Sequence, residues 1–167
     1  MRADVALSGD RIAAVGDIPD KGGVELDATG HVVAPGFIDV HSHDDFAVLM
    51  TPDMPFKVMQ GVTTTVVGNC GSGVIPFESG RERFRRMMPS ADPPRWDRLA
   101  QYMARIDEAA PCCNVAVLMG HGTLRHGAMG AAQRPPTAAE LDRMRAWVRE
   151  GVEAGAVGLS TGLIYEP

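Results

Sequence analysis

Val32-Val33-Ala34-Pro35-Gly36-Phe37-Ile38-Asp39-Val40-His41-Ser42-His43 is an apolar run that ends in two histidines one residue apart. Further along, Val62-Thr63-Thr64-Thr65-Val66-Val67 runs into Gly68-Asn69-Cys70-Gly71. In a strand, residues i and i+2 point to the same side, so His41 and His43 can reach one point in space. Two imidazoles aimed together, with a thiol arriving from a neighbouring strand, make a donor set suited to zinc. Both runs close in polar or glycine-rich residues, and in parallel α/β architectures ligands sit at such carboxyl ends of strands.

Two further segments repeat the pattern. Val115-Ala116-Val117-Leu118-Met119 leads into Gly120-His121-Gly122, and Ala156-Val157-Gly158-Leu159-Ser160 leads into Thr161-Gly162-Leu163-Ile164-Tyr165. Segments of helical period lie between them. A short helix is predicted over about Pro52 to Gln60, stopped at Gly61. A second covers Arg95 to Ala109, with Trp96, Leu99, Met103 and Ile106 on one face. A third starts at Thr137, where Thr137-Ala138-Ala139-Glu140 has the capping-box pattern, and carries Leu141, Met144, Val148 and Val152 towards a stop at Gly155. Ile75 to Pro94 reads as irregular, with the arginine-rich 81–86 as a solvated helix face that could also attract a carboxylate. Strands alternating with helices predict βα units and a parallel sheet.

Residues 4–33 have a different texture. Val5-Ala6-Leu7-Ser8 and Arg11-Ile12-Ala13-Ala14-Val15 flank Gly9-Asp10, a two-residue hairpin connection, and Val24-Glu25-Leu26-Asp27 is expected in the same small sheet. The expected organisation is therefore residues 1–33 as part of a small β-sandwich domain, followed by residues 34–167 as an α/β unit of about four strands. A closed eight-stranded barrel needs roughly 250 residues, so the second part reads as the first half of a (β/α)8 TIM barrel.

Composition sets outer bounds. The chain has 167 residues, 45% of them apolar and 22% charged. Its net charge of −5 gives no support to a nucleic-acid or anionic-membrane partner. No apolar stretch approaches the roughly 20 residues of a membrane helix. The start, Met1-Arg2-Ala3-Asp4, lacks the apolar core of a signal peptide, which makes a cytoplasmic location the expectation. Three cysteines, two of them adjacent at 112 and 113, argue against a disulfide framework and leave Cys70 available as a ligand.

Val33–His43 resembles the first barrel strand of the amidohydrolase superfamily, whose members bind metal through an H-x-H there. Three further blocks narrow the resemblance to the D-aminoacylase (N-acyl-D-amino-acid deacylase) family: Gly61–Gly71 with its G-N-C-G, Gly120-His121-Gly122-Thr123-Leu124-Arg125, and Gly158–Pro167 with its G-L-x-Y-x-P. The resemblance implies a metal-dependent hydrolase that cleaves the amide of a small-molecule N-acyl-D-amino acid. It implies Cys70 as a zinc ligand, with His41 and His43 contributing to a second or weaker metal position, so that one zinc is tightly held and a second site is weaker. Tyr165 matches a residue that helps hold substrate, and the resemblance favours that role over a core aromatic. His121 is open between substrate contact and a structural hydrogen bond. Asp39 is open between a hydrogen bond to a ligand histidine and satisfaction of backbone groups. The family's general-base aspartate and remaining zinc histidines follow later strands than these, which implies a fragment of a longer enzyme with no catalytic base of its own.

Two alternatives remain at this stage. One is an amidohydrolase acting on cyclic amides, of hydantoinase or dihydroorotase type. Those enzymes use a lysine after the fourth strand, where this chain has Ser160 and Thr161. The other is a non-catalytic half-barrel with open sheet edges. The oligomeric state is left open.

Overall fold

A computed structural model describes residues 2–87 and 95–165, and the chain divides into two compact units, Met1–Pro35 and Gly36–Pro167. In the first unit, β1 (Asp4–Ser8) and β2 (Arg11–Gly16) pair antiparallel, with Ser8 opposite Arg11 across the Gly9-Asp10 turn. Gly9 takes φ +60°, a conformation glycine reaches without strain. The expected third strand at Val24–Asp27 does not form. Its side chains bond to flanking backbone instead: Glu25 Oε1 accepts the Gly22 N–H at 3.2 Å and Asp27 Oδ1 accepts the Thr29 N–H at 2.9 Å. Such side-chain bonds compete with a ladder, and Val24 and Leu26 stay exposed.

The second unit holds a four-stranded parallel sheet in the order β3 (Phe37–Asp39), β4 (Val62–Val67), β5 (Asn114–Gly120), β6 (Gly158–Ser160). Strands that neighbour each other in sequence also neighbour each other in the sheet. Such an order, with no switch point, is what a barrel requires and a doubly wound sheet does not have. The strand expected from Val32 shortens to three residues, because Pro35 has no N–H to give and pairing begins only where Phe37 N–H meets the Gly61 carbonyl at 2.8 Å. The outer strands leave Phe37, Ile38 and Leu159 exposed.

The helices depart from expectation in instructive ways. An unpredicted turn, α1 (Ala47–Met50), comes first, and the helix predicted at 52–60 is a single short turn, α2 (Pro55–Val58). Met54 precedes a proline and sits in the left-handed region at φ 39°, so the helix can start only at Pro55. Part of the stretch read as irregular is α3 (Phe77–Met87), so the arginines at 81, 83, 85 and 86 lie on a helix; residues 88–94 of that stretch lie outside the described residues.

The helix predicted from Arg95 begins later, as α4 (Leu99–Ala109), because the Gln101 side chain caps the backbone N–H groups of Asp97 and Arg98 at 2.7 and 3.2 Å. β5 ends at Gly120, and His121 opens α5 (His121–Met129), a helix the sequence reading did not include. The last helix, α6 (Ala138–Glu153), follows Thr137 with the expected capping box, and Gly155 (φ +109°) lies just beyond its end.

The core lies between sheet and helices. Val67, Val117 and Met119 from the strands meet Leu99, Tyr102, Ile106, Leu124 and Met144 from the helices. Trp96 lies just before α4 rather than on it. Its ring centroid is 4.9 Å from that of Phe77 and 5.0 Å from that of Tyr102, and its Nε1–H donates to the Val74 carbonyl at 2.9 Å. The indole is thus buried with its polar edge satisfied.

Candidate metal centre

The ends of β3 and β4 bring His41, His43 and Cys70 together. One ligand atom from each lies within 4.8 Å of the others, and this is the one such group of metal-ligating side chains among the described residues. His41 Nε2 is 3.0 Å from Cys70 Sγ, and the two imidazole rings stand edge to face with centroids 5.9 Å apart. Around a tetrahedral zinc with bonds near 2.0–2.3 Å, neighbouring donors are about 3.5 Å apart. The three side chains therefore need only small movements to share an ion. Their chemistry, two nitrogens and a sulfur, favours zinc over magnesium or calcium.

Each half of this cluster is held by its own hydrogen bonds. In the histidine segment, Ser42 is buried, its Oγ lies 2.8 Å from Thr65 Oγ1, and it donates to the Val66 carbonyl at 3.1 Å. The intervening serine therefore ties the segment to β4 while the histidines on either side approach Cys70. Asp39 takes one of its two expected roles: Oδ1 accepts the His41 backbone N–H at 3.1 Å. The neighbouring Lys57 ammonium, helped by that N–H, holds the Asp39 carboxyl below the usual range. Burial works against the charge on Lys57, yet its hydrogen bonds to Asp39 and Asp44 raise it above its usual value.

The cysteine sits in a tight turn. Cys70 has φ +56°, uncommon for a residue with a Cβ, between Gly68 at φ +82° and Gly71 at φ +71°. Three neighbours fix this turn. Ser160 Oγ, at the end of β6, donates to the Gly68 carbonyl in a short hydrogen bond and accepts the Gly71 N–H at 3.0 Å. From α5, Thr123 N–H donates to the Gly71 carbonyl at 3.0 Å, and Thr123 Oγ1 accepts the Gly73 N–H at 2.9 Å. Asn69 Nδ2 reaches back to the Val66 carbonyl at 2.8 Å.

His121 is the first residue of α5, two positions before the Thr123 that grips this turn, and it is outside the three-residue cluster. Tyr165 comes close by another route. A Cβ built on Gly162 would stand 2.3 Å from the Cys70 carbonyl oxygen and 2.8 Å from Tyr165 Cδ2, so this glycine lets the two approach. Cys113 is buried and Cys112 exposed, both as free thiols remote in sequence from the cluster. A cleft of about 400 Å³ between α4 and the start of β5, lined by Met103, Ile106, Asp107 and Cys113 among others, contains none of the cluster residues.

Sequence reasoning passed over Ser160, Thr123 and Lys57. Ser160 had been noted only as the place where a lysine is missing. Its strand-end position beside the G-N-C-G block was the signal that could have found it.

The amidohydrolase family model matches residues 24–166. The chain belongs to the amidohydrolase family. The likeness to D-aminoacylases runs its whole length. It is 41% identical to the N-acyl-D-glutamate deacylase of Alcaligenes xylosoxydans xylosoxydans, over 99% of this chain and 34% of that protein. The D-aminoacylase of the same organism is 40% identical, over 99% of this chain and 35% of that one.

A crystal structure of D-aminoacylase superposes with a TM-score of 0.85 at 39% identity, covering 99% of this chain and 35% of that one. The N-acyl-D-glutamate deacylase from Bordetella bronchiseptica, solved with zinc and a phosphonate mimic of the tetrahedral intermediate, gives 0.83 at 40% identity with the same coverage. The chain spans about a third of the length of the relatives it matches. Its parallel sheet is the first half of a (β/α)8 barrel. No helix among the described residues is long and apolar enough to cross a membrane.

Proposed function

We propose that this chain supplies part of the metal site of a zinc-dependent amidohydrolase that cleaves N-acyl-D-amino acids into a carboxylate and the free D-amino acid. The observation that carries this reading is the convergence of His41, His43 and Cys70 at adjacent strand ends, in a chain about 40% identical along its length to proteins named for that activity. His41 and His43 would bind as neutral imidazoles and Cys70 as a thiolate. A bound zinc supplies a Lewis acid that polarises an acyl carbonyl and brings the pKa of a coordinated water towards about 7.

The protein's own contribution is to prepare the donors. Ser42 and Thr65 hold the histidine segment against β4, while Ser160 and Thr123 hold the cysteine turn. Because the candidate ligands sit in short segments just beyond β3 and β4 that these bonds hold, their geometry is set before substrate arrives. Tyr165, beside the Cys70 turn, is the group we assign to orienting the substrate, with His121 as a weaker candidate. Among the described residues, three candidate ligands without a positioned general base do not make a complete hydrolytic site. The residues described here are therefore expected to bind metal but to leave N-acyl-D-amino acids uncleaved without further groups. A cytoplasmic location and a single tightly held zinc with a weaker second site belong to the same proposal.

The test is zinc content and affinity of the purified protein, compared with Cys70→Ala. Stoichiometric zinc in the wild type and its loss in the variant are expected. Full zinc occupancy in Cys70→Ala would remove the thiolate from the site. Hydrolysis by a polypeptide that contains the chain should favour N-acyl-D- over N-acyl-L-amino acids, and the opposite preference would reject the substrate assignment.

A further inference from the structure

Asp39 and Asp44 stand on either side of His41-Ser42-His43, and a single ammonium holds both. Lys57 Nζ forms a short ion pair with Asp39 Oδ2 and lies 2.8 Å from Asp44 Oδ2. The Lys57 side chain is only 13% exposed and that of Asp44 only 17%. The remaining bonds run inward to the candidate ligands. Asp39 Oδ1 accepts the His41 N–H, and Asp44 Oδ2 accepts from Thr65 Oγ1 at 3.3 Å, the same hydroxyl that meets Ser42. The segment from 39 to 44 is thus tied at both ends to Lys57 and in the middle to β4.

An ion cluster so little exposed adds little net stability, because desolvation offsets most of the attraction between its members. What it does supply is direction. Lys57 is delivered by α2, whose start is set by Pro55 after the left-handed Met54, and its side chain ends where the two carboxylates meet. With both flanks held and Ser42 bonded to β4, the backbone between them is restrained in the form that brings the two imidazoles towards Cys70.

We propose that Lys57 is a positioning residue for the metal centre: by gripping Asp39 and Asp44 it clamps the His41-Ser42-His43 segment in its ligand-presenting form. This rests on the metal-binding reading above. Lys57 touches neither the ligands' donor atoms nor any substrate, and it acts through the two carboxylates.

The experiment measures zinc affinity by competition with a chromophoric chelator, together with the thiolate-to-metal absorption of the cobalt-loaded protein. Asp44→Asn removes one arm of the clamp while Lys57 keeps Asp39. It should remain folded and bind zinc about tenfold more weakly, in line with the roughly 10–100-fold cost of losing groups that orient metal ligands. Lys57→Met should lose more, and Lys57→Arg should restore part of the affinity because a guanidinium can bridge two carboxylates. Ile106→Val, a core change in α4, is the control for a merely structural effect: it should lower stability and leave zinc affinity and the cobalt spectrum unchanged.

Wild-type affinity and spectrum in folded Asp44→Asn would overturn the clamp, as would an equal loss of affinity in Ile106→Val. If Lys57→Met does not fold, Asp44→Asn and Lys57→Arg decide the matter. A wild-type protein that binds no zinc would reject the metal-binding reading itself, and the clamp with it.

Discussion

Ser160→Ala isolates the support of the cysteine turn without touching a proposed ligand. The hydroxyl makes two hydrogen bonds, one to the Gly68 carbonyl and one from the Gly71 N–H at 3.0 Å, and these bracket Cys70 in sequence. At about 0.5–1.5 kcal/mol net for each bond, the substitution should cost about 1–3 kcal/mol of stability, towards the lower figure because the serine is only partly buried. Cys70 itself, at φ +56°, stores about 1–2 kcal/mol of backbone strain. Support and strain are of similar size, so removing the serine lets the turn relax and moves Sγ away from His41 Nε2. Zinc affinity should then fall by about tenfold or more. Urea unfolding of the metal-free protein gives the first quantity, and chelator competition gives the second. An unchanged zinc affinity alongside the expected loss of stability would refute the link between Ser160 and the ligand.

Two further outcomes concern the frame around the site. Tyr102 is fully buried, and its hydroxyl donates to the Asp45 carbonyl at 2.5 Å, joining α4 to the segment after His43. Burial, with Asp45 adding to it, raises the phenol well above its ordinary pKa, so it stays a neutral donor. Tyr102→Phe removes that hydrogen bond and should cost about 0.5–1.5 kcal/mol in urea unfolding; unchanged stability would show that the bond does not help to hold the segment.

Glu140 offers a pH test. Arg134 binds it through two 2.7 Å contacts, and with the Thr137 N–H it lowers the carboxyl from 4.5 to about 2. A pKa lowered by folding contributes stability above the unfolded value and loses it as pH falls through the folded one. Thermal unfolding of Glu140→Gln should therefore converge with wild type as pH drops from about 4.5 to about 2, and a constant difference across that window would exclude the linkage.

Much of this protein was legible from its residues because the signals were local. Continuous β-branched or aliphatic runs marked β4 and β5, Thr137 with Glu140 marked the start of α6, and Gly9-Asp10 marked the hairpin. The missed helices, α3 and α5, each bury a large apolar residue, Phe77 and Leu124, and pack elsewhere through glycine. A Cβ on Gly80 in α3 would stand 2.8 Å from the Gly73 carbonyl, and one on Gly127 in α5 would stand 2.3 Å from Pro76 Cγ. Close packing through glycine leaves no hydrophobic period to read. Trp96 misled in the opposite sense, since a large apolar residue at helical spacing packs here from the segment before the helix.

The sequence by itself singled out His41, His43 and Cys70 as candidate ligands, but the strand spacing used for the two histidines does not hold: β3 ends at Asp39, and hydrogen bonds of the segment beyond it bring them together. The sequence also determined the parallel βα character of the second unit. Only the tertiary structure decided that Cys70 takes a left-handed turn, that Ser160 from a strand some ninety positions later brackets it (|i−j| = 89 and 92), and that Lys57 joins Asp39 to Asp44. Those contacts come from elements that meet only when the sheet is assembled. Spacing along a chain carries no record of them, since a hydrogen bond depends on position in space and not on separation in sequence.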